Sequence, residues 1–229
     1  MLKRPKQDNQ FYWTRFILMQ RIISGILLIS LFFTAIFFST ALLYALIALV
    51  TIGMLHEWYN MTKTDVFSLF LGLPIISIPM ASIICITTMP YGKDALLFFA
   101  CIIPTVDTFA MIGGQSIGGA KLSPRLSPSK TWSGFFVGIV AGGIVSLLLG
   151  FILQNPYIQF ESWQFLLFGI ILGAVEQMSD LFISRFKRKF KIKDTGCIIP
   201  GHGGVLDRFD GTILTAPLLL YILVQCTQN

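Results

Sequence analysis

The sequence predicts an all-α, polytopic integral membrane bundle of about seven spans, some short or broken, folded as a single membrane-embedded domain over residues 1–229. Three observations predict it. The chain is 55% hydrophobic and only 12% charged, where soluble domains carry about 25% charged residues. Its mean hydropathy is +0.76. Apolar blocks approaching the roughly 20 residues needed to cross a hydrocarbon core recur along the whole chain.

The first block, about 17–38, follows a basic N-terminus. No small-residue cleavage site follows it and a second block, 40–56, comes close behind, so it reads as a retained span rather than a signal peptide. The third block, 66–87, contains Pro74 and Pro79, and the fourth, 95–113, contains Pro104 and Asp107. Proline in a membrane helix frees a backbone carbonyl, which predicts kinks or breaks at these points. Blocks at 132–153, 164–183 and 212–227 complete the set, without internal repeats or low-complexity tracts. The four cysteines (Cys85, Cys101, Cys197, Cys226) are scattered and form no CxxC pair, which speaks against a disulfide framework or a zinc site.

Lysine and arginine set the orientation. With the N-terminus in the cytoplasm, 16 of the 17 fall on the cytoplasmic side and only Lys93 on the other. Seven spans then put the C-terminus outside. The net charge of +6 becomes a cytoplasmic face that attracts anions such as lipid headgroups and nucleotides.

Ionisable groups in spans are costly and point to function. Asp107, Glu176 and Asp180 fall in or at the end of apolar blocks, and Asp207 and Asp210 stand at the mouth of the seventh. Glu176 and Asp180 are four apart and share a face of a regular helix. Asp207 and Asp210 are three apart and share a face if a helix begins near Leu206. An acidic first turn is favourable in any helix. Here it meets the bilayer after a glycine-rich loop and faces Asp180 across a short connection, which favours a metal site of Asp180, Asp207 and Asp210. Hard oxygen ligands of this kind hold magnesium loosely enough for it to keep waters and accept phosphate oxygens.

The loop before these aspartates, KDTGCIIPGHGGVLDRFD (residues 193–210), packs four glycines, a proline and a histidine into an otherwise apolar region. Its Gly203 and Gly204 permit backbone conformations in which successive N–H groups cradle a phosphate. His202 reads as a general base, a phosphate donor or a loop-stapling hydrogen bonder, with the last two favoured because phosphoryl transfer rests on positioning and charge. The basic run from Arg185 to Lys193 supplies cations for phosphates, and also simply holds its loop inside. The stretch from Lys121 to Trp132 reads equally as a proline-stiffened connector ending in an N-cap, or as a phosphate clamp using Lys130 with Ser127 or Thr131. Asp107-Thr108 joins the site if the fourth span is broken there.

These residues carry a family pattern. Ser184-x-x-Lys187-Arg188-x4-Lys193-Asp194-x-Gly196-x-x-Ile199-Pro200-x-His202-Gly203-Gly204-x-x-Asp207-Arg208-x-Asp210 resembles the long C-terminal motif of the CDP-diacylglycerol synthases, or phosphatidate cytidylyltransferases. Ser127-Pro128-Ser129-Lys130-Thr131-Trp132 resembles that family's SPxKTW element, with Asp107-Thr108-x-Ala110 ahead of it, and Gln177-x-x-Asp180-Leu181 its QxGDL element. The resemblance implies a helical, multi-pass enzyme of a bacterial-type inner (plasma) membrane, generally a homodimer. Such enzymes condense CTP with phosphatidic acid to give CDP-diacylglycerol and pyrophosphate. It implies metal binding by Asp180, Asp207 and Asp210, with magnesium essential and potassium a candidate second cation. It also implies phosphate handling by Ser127, Lys130, Lys187, Arg188, Lys193 and Arg208, and a site lined by Ser184. Ser179 stands where the family usually has glycine, Met111 replaces a common aromatic and Ser133 a common Glu or Gln.

Three other readings compete. A CTP-dependent lipid or polyprenol kinase would release CDP, where a cytidylyltransferase releases pyrophosphate. A transporter also uses intramembrane carboxylates and broken helices, but here the polar residues gather on one face. A structural anchor for acidic lipids leaves Asp107, Asp180, Asp207 and Asp210 unexplained. Nothing in the pattern points to nucleic acid.

Overall fold

Helices dominate because long apolar runs in a bilayer must satisfy every backbone polar group internally. The computed structural model describes residues 30–153, 161–198 and 203–227. Within these, five helices are long and apolar enough to cross a membrane: α1 (Thr40–Thr62), α2 (Val66–Thr87), α3 (Gly92–Ile117), α4 (Trp132–Leu153) and α5 (Ser162–Lys189). A four-residue helix α6 (Leu206–Phe209) and a shorter apolar helix α7 (Thr212–Thr227) follow. The expected first span lies mostly outside the described residues; its end, 30–38, is helical.

Local sequence explains the boundaries. Ser39 caps α1, its hydroxyl accepting from Leu42 N at 3.2 Å. The polar turn Lys63-Thr64-Asp65 separates α1 from α2. At the start of α5, Glu161 and Gln164 form a reciprocal capping box. Thr131 Oγ1 accepts from Gly134 N at 3.1 Å and so caps α4.

Two expectations are corrected. Pro74, Pro79 and Pro104 lie inside continuous helices and do not break them. The stretch from Lys121 to Thr131 is more than a bare connector. It folds into an antiparallel hairpin, β1 (Lys121–Ser123) and β2 (Ser127–Thr131), pairing Lys121 with Thr131 and Ser123 with Ser127.

α3, α4 and α5 pack with their backbones almost touching. A Cβ on Gly134 would lie 2.4 Å from Ala110 O, and one on Gly138 2.9 Å from Val106 O. One on Gly169 would lie 2.4 Å from Gly142 O. Gly134, Gly138 and Gly142 recur every four residues, giving α4 a flat stripe into which its neighbours settle, as is usual where lipid removes the hydrophobic drive between helices. On the other side, α2 lies between α1 and α7. Trp58, 1% exposed, donates Nε1–H to Ser68 O at 2.9 Å and stacks obliquely on Phe186, joining α1, α2 and α5.

Candidate active site

The candidate side chains arise from four segments that meet where α5 approaches α6. On α5, Glu176, Asp180, Ser184 and Lys187 are spaced four, four and three residues apart and share one face. Ser184 Oγ donates to Asp180 Oδ1 at 3.3 Å. The sharp turn from α6 to α7 presents Asp207 and Asp210. Asp210 has helical dihedrals, so the two carboxylates share a face as the spacing predicts, and both reach Lys187. Its Nζ lies 3.0 Å from Asp207 Oδ1 and 3.5 Å from Asp210 Oδ2. Asp180 and Asp210 are within hydrogen-bonding reach of each other. The side chains at 180, 207 and 210 therefore belong to one cluster.

β2 contributes Lys130, whose Nζ lies 2.5 Å from Asp180 Oδ2. Burial works against the Lys130 ammonium, but the charges of Asp180 and Glu176 overcome it and hold the group above the usual lysine range. Burial, then the charge of Asp180, pushes Asp210 up to about 8. α3 contributes Asp107, which is exposed and lies beside Glu176, within electrostatic reach of Lys130, Asp180 and Arg208. It joins the site without any break in α3, contrary to the condition set from sequence.

Ser179 binds the cluster to the scaffold. Its hydroxyl donates to Asp210 O and accepts from Leu214 N at 3.1 Å. The serine that departs from the family glycine thus fixes the turn carrying Asp210.

Other candidates have structural partners. Arg188 Nε donates to Leu126 O and its Nη1 to Ile192 O, both at 3.0 Å, tying the hairpin to the end of α5. Thr131, 4% exposed, is occupied in capping. Ser127 Oγ lies 3.5 Å from Ser129 Oγ. Lys193 and Arg208 are exposed. His202 lies outside the described residues.

Within the glycine loop expected to cradle a phosphate, the described N–H groups from Gly204 onward turn inward. Gly204 N donates to Asp207 Oδ2 at 3.2 Å, Val205 N to Glu57 Oε1 at 2.9 Å and Leu206 N to Glu57 Oε2 at 2.8 Å. These donors are engaged within the protein. Gly203, at φ +85°, supplies the left-handed turn that lets the chain fold back over Asp207. Glu57 was missed from sequence because the second apolar block stops at 56, whereas α1 continues to Thr62.

Among the described residues the acidic side chains of this cluster offer only oxygen to a cation, and both oxygens of the fully buried Glu176 lack a hydrogen-bond donor. That chemistry fits a hard divalent cation. As placed, no three acidic, histidine or cysteine side chains among the described residues converge tightly enough to hold an ion; the ammonium groups of Lys130 and Lys187 lie against the carboxylates instead.

The cytidylyltransferase family profile matches residues 63–226, the stretch that holds every residue of the cluster. The chain belongs to the cytidylyltransferase family. It is 47% identical over 225 residues to the phosphatidate cytidylyltransferase of Rickettsia bellii (strain RML369-C), covering 96% of this chain and 94% of that protein. It is 49% identical over 226 residues to that of Rickettsia conorii (strain ATCC VR-613 / Malish 7), covering 97% and 94%. It is 39% identical over 130 residues to the phosphatidate cytidylyltransferase of Brucella abortus (strain 2308), covering 57% of this chain and 47% of that protein.

Proposed function

We propose that the protein is a phosphatidate cytidylyltransferase, condensing CTP with phosphatidic acid to give CDP-diacylglycerol and pyrophosphate for phospholipid synthesis. The observation that carries this reading is the cluster itself: Asp180, Asp207 and Asp210 gathered with Lys130 and Lys187 where α5 meets α6. Similarity at 47% and 49% identity over 96% and 97% of the chain to relatives bearing that name supports it.

A phosphate oxygen of phosphatidate attacks the α phosphorus of CTP, and the bond to the β phosphate breaks as pyrophosphate leaves. Phosphatidate is already an anion at neutral pH, so no side chain need remove a proton. The difficulty is bringing two polyanions together, and catalysis of this kind is positioning and charge. Lys130 and Lys187, released from their carboxylates, place ammonium groups against the phosphates, and the exposed Lys193 and Arg208 extend the positive rim. Ser184 orients Asp180. Asp180, Asp207 and Asp210 would hold magnesium, which when bound neutralises phosphate charge. Potassium is the candidate for a second cation. The site faces the cytoplasm with the N-terminus on that side, in a bacterial-type inner membrane, and the enzyme works as a homodimer.

Incubation of purified protein with radiolabelled CTP, phosphatidate and magnesium tests this. The expected outcome is a CMP-bearing lipid with release of pyrophosphate. A phosphorylated lipid with release of CDP would replace the reading by a kinase. Asp207→Asn with near-normal activity in magnesium would remove the metal assignment.

A further inference from the structure

Glu57 belongs to none of the motifs that mark the site. It sits in the spanning helix α1, 1% exposed, and reaches across to the segments that carry Asp207. Both carboxylate oxygens are used. Oε1 accepts from Val205 N at 2.9 Å. Oε2 accepts from Leu206 N at 2.8 Å and from Thr195 Oγ1 at 2.9 Å. The donors come from the two sides of the glycine-rich loop. Asp207 Oδ2 grips the same two sides, accepting from Thr195 N at 2.8 Å and Gly204 N at 3.2 Å. The glycines leave room for this grip: a Cβ at Gly196 or Gly204 would come within 2.6 Å of a Glu57 oxygen.

We propose that Glu57 is a positioning residue for the metal-binding cluster, clamping both ends of the glycine-rich loop so that Asp207 holds one oxygen on the loop and presents the other to the site. This rests on the reading that Asp180, Asp207 and Asp210 hold magnesium. A carboxylate is required because every group facing it is a donor. Glutamine would turn an NH2 toward N–H groups and lose at least one contact. With Thr195 and Leu206 released, the backbone that fixes Asp207 Oδ2 loosens, and Oδ1 loses its aim. Residues that orient metal ligands typically govern affinity by about 10–100-fold.

The test uses full-length protein in nanodiscs, comparing wild type, Glu57→Gln, Asp207→Asn and the milder Thr195→Val, which removes one donor and leaves the carboxylate in place. Hydrogen exchange is read first, without metal, on peptides containing Val205 and Leu206. Faster exchange there in Glu57→Gln, and to a smaller degree in Thr195→Val, supports the clamp; unchanged exchange in both overturns it. Manganese binding is then read by electron paramagnetic resonance. We expect at least tenfold weaker binding in Glu57→Gln, with CTP turnover partly restored by excess magnesium. Wild-type manganese affinity in Glu57→Gln, with binding lost in Asp207→Asn, overturns the positioning role and leaves the metal site standing. Wild-type affinity in both variants removes the metal site, and the positioning role with it. If Glu57→Gln does not fold, Thr195→Val decides: a several-fold loss of manganese affinity supports the role, and none overturns it.

Discussion

Lys187→Met isolates the electrostatic core of the site. Methionine keeps the stem and the volume but deletes the ammonium between Asp207 and Asp210. At an effective dielectric of about 20, the Lys187 and Asp207 charges, 3.0 Å apart, attract by about 5.5 kcal/mol, and above pH about 8, where Asp210 is ionised, its charge at 3.5 Å adds about 4.7 kcal/mol. Much of this offsets the several kcal/mol it costs to take the ammonium out of water. Removing one partner of a buried pair costs about 3–5 kcal/mol, because the remaining charge is stranded. At about 2–4 °C per kcal/mol for a chain of this size, Tm in metal-free detergent solution should fall by roughly 6–20 °C. The loss should depend on pH. Asp210 is already pushed up to about 8 by burial and by Asp180, so the stranded carboxylate escapes part of the penalty by taking up a proton. The deficit against wild type is then larger at pH 9 than at pH 6. Thermal unfolding followed by tryptophan fluorescence at both values measures it. A fall below 2 °C, or an equal deficit at both, refutes the reasoning.

Three further outcomes are expected. In metal-free wild type, Asp210 binds its proton more tightly folded than unfolded, so its contribution is full below the unfolded value of 3.8 and is lost as pH rises through about 8; magnesium, which needs the deprotonated ligand, should therefore raise Tm more at pH 9 than at pH 6. Gly169→Ala puts a methyl 2.4 Å from Gly142 O and from Ser146 Cβ, and should cost about 1–3 kcal/mol as α4 and α5 part; an unchanged Tm would contradict the packing. Ser179→Ala removes the links to Asp210 O and Leu214 N, at about 0.5–1.5 kcal/mol each; it should lower both Tm and turnover, and unchanged values would deny Ser179 its tethering role.

How legible these features were depends on how far each signal travels along the chain. The blocks at 66–87, 132–153 and 212–227 match α2, α4 and α7 to the residue, since polar turn residues bound them and hydropathy is local. α1 runs six residues past the expected 56 because His56-Glu57 interrupts the apolar run; the bilayer tolerates Glu57 since distant backbone N–H groups satisfy it. Those partners lie 148 and 149 residues away, and no window carries that pairing. Pro74, Pro79 and Pro104 do not end their helices, which continue past them. The acidic cluster was readable from three- and four-residue spacing, which is a property of helices. The hairpin was not, because its serines and prolines read as a loop and its closure depends on pairing Lys121 with Thr131.

The backbone contact among α3, α4 and α5 has a mechanical consequence. With carbonyls facing glycine Cα atoms at Gly134, Gly138 and Gly169, those three helices can neither slide nor spread at these points without clashing or opening a void. Asp107, Glu176 and Asp180 all ride on this block, so that side of the cluster is rigid. Any rearrangement of the cluster therefore falls to the hairpin and to the turn before α7, which lie outside this block.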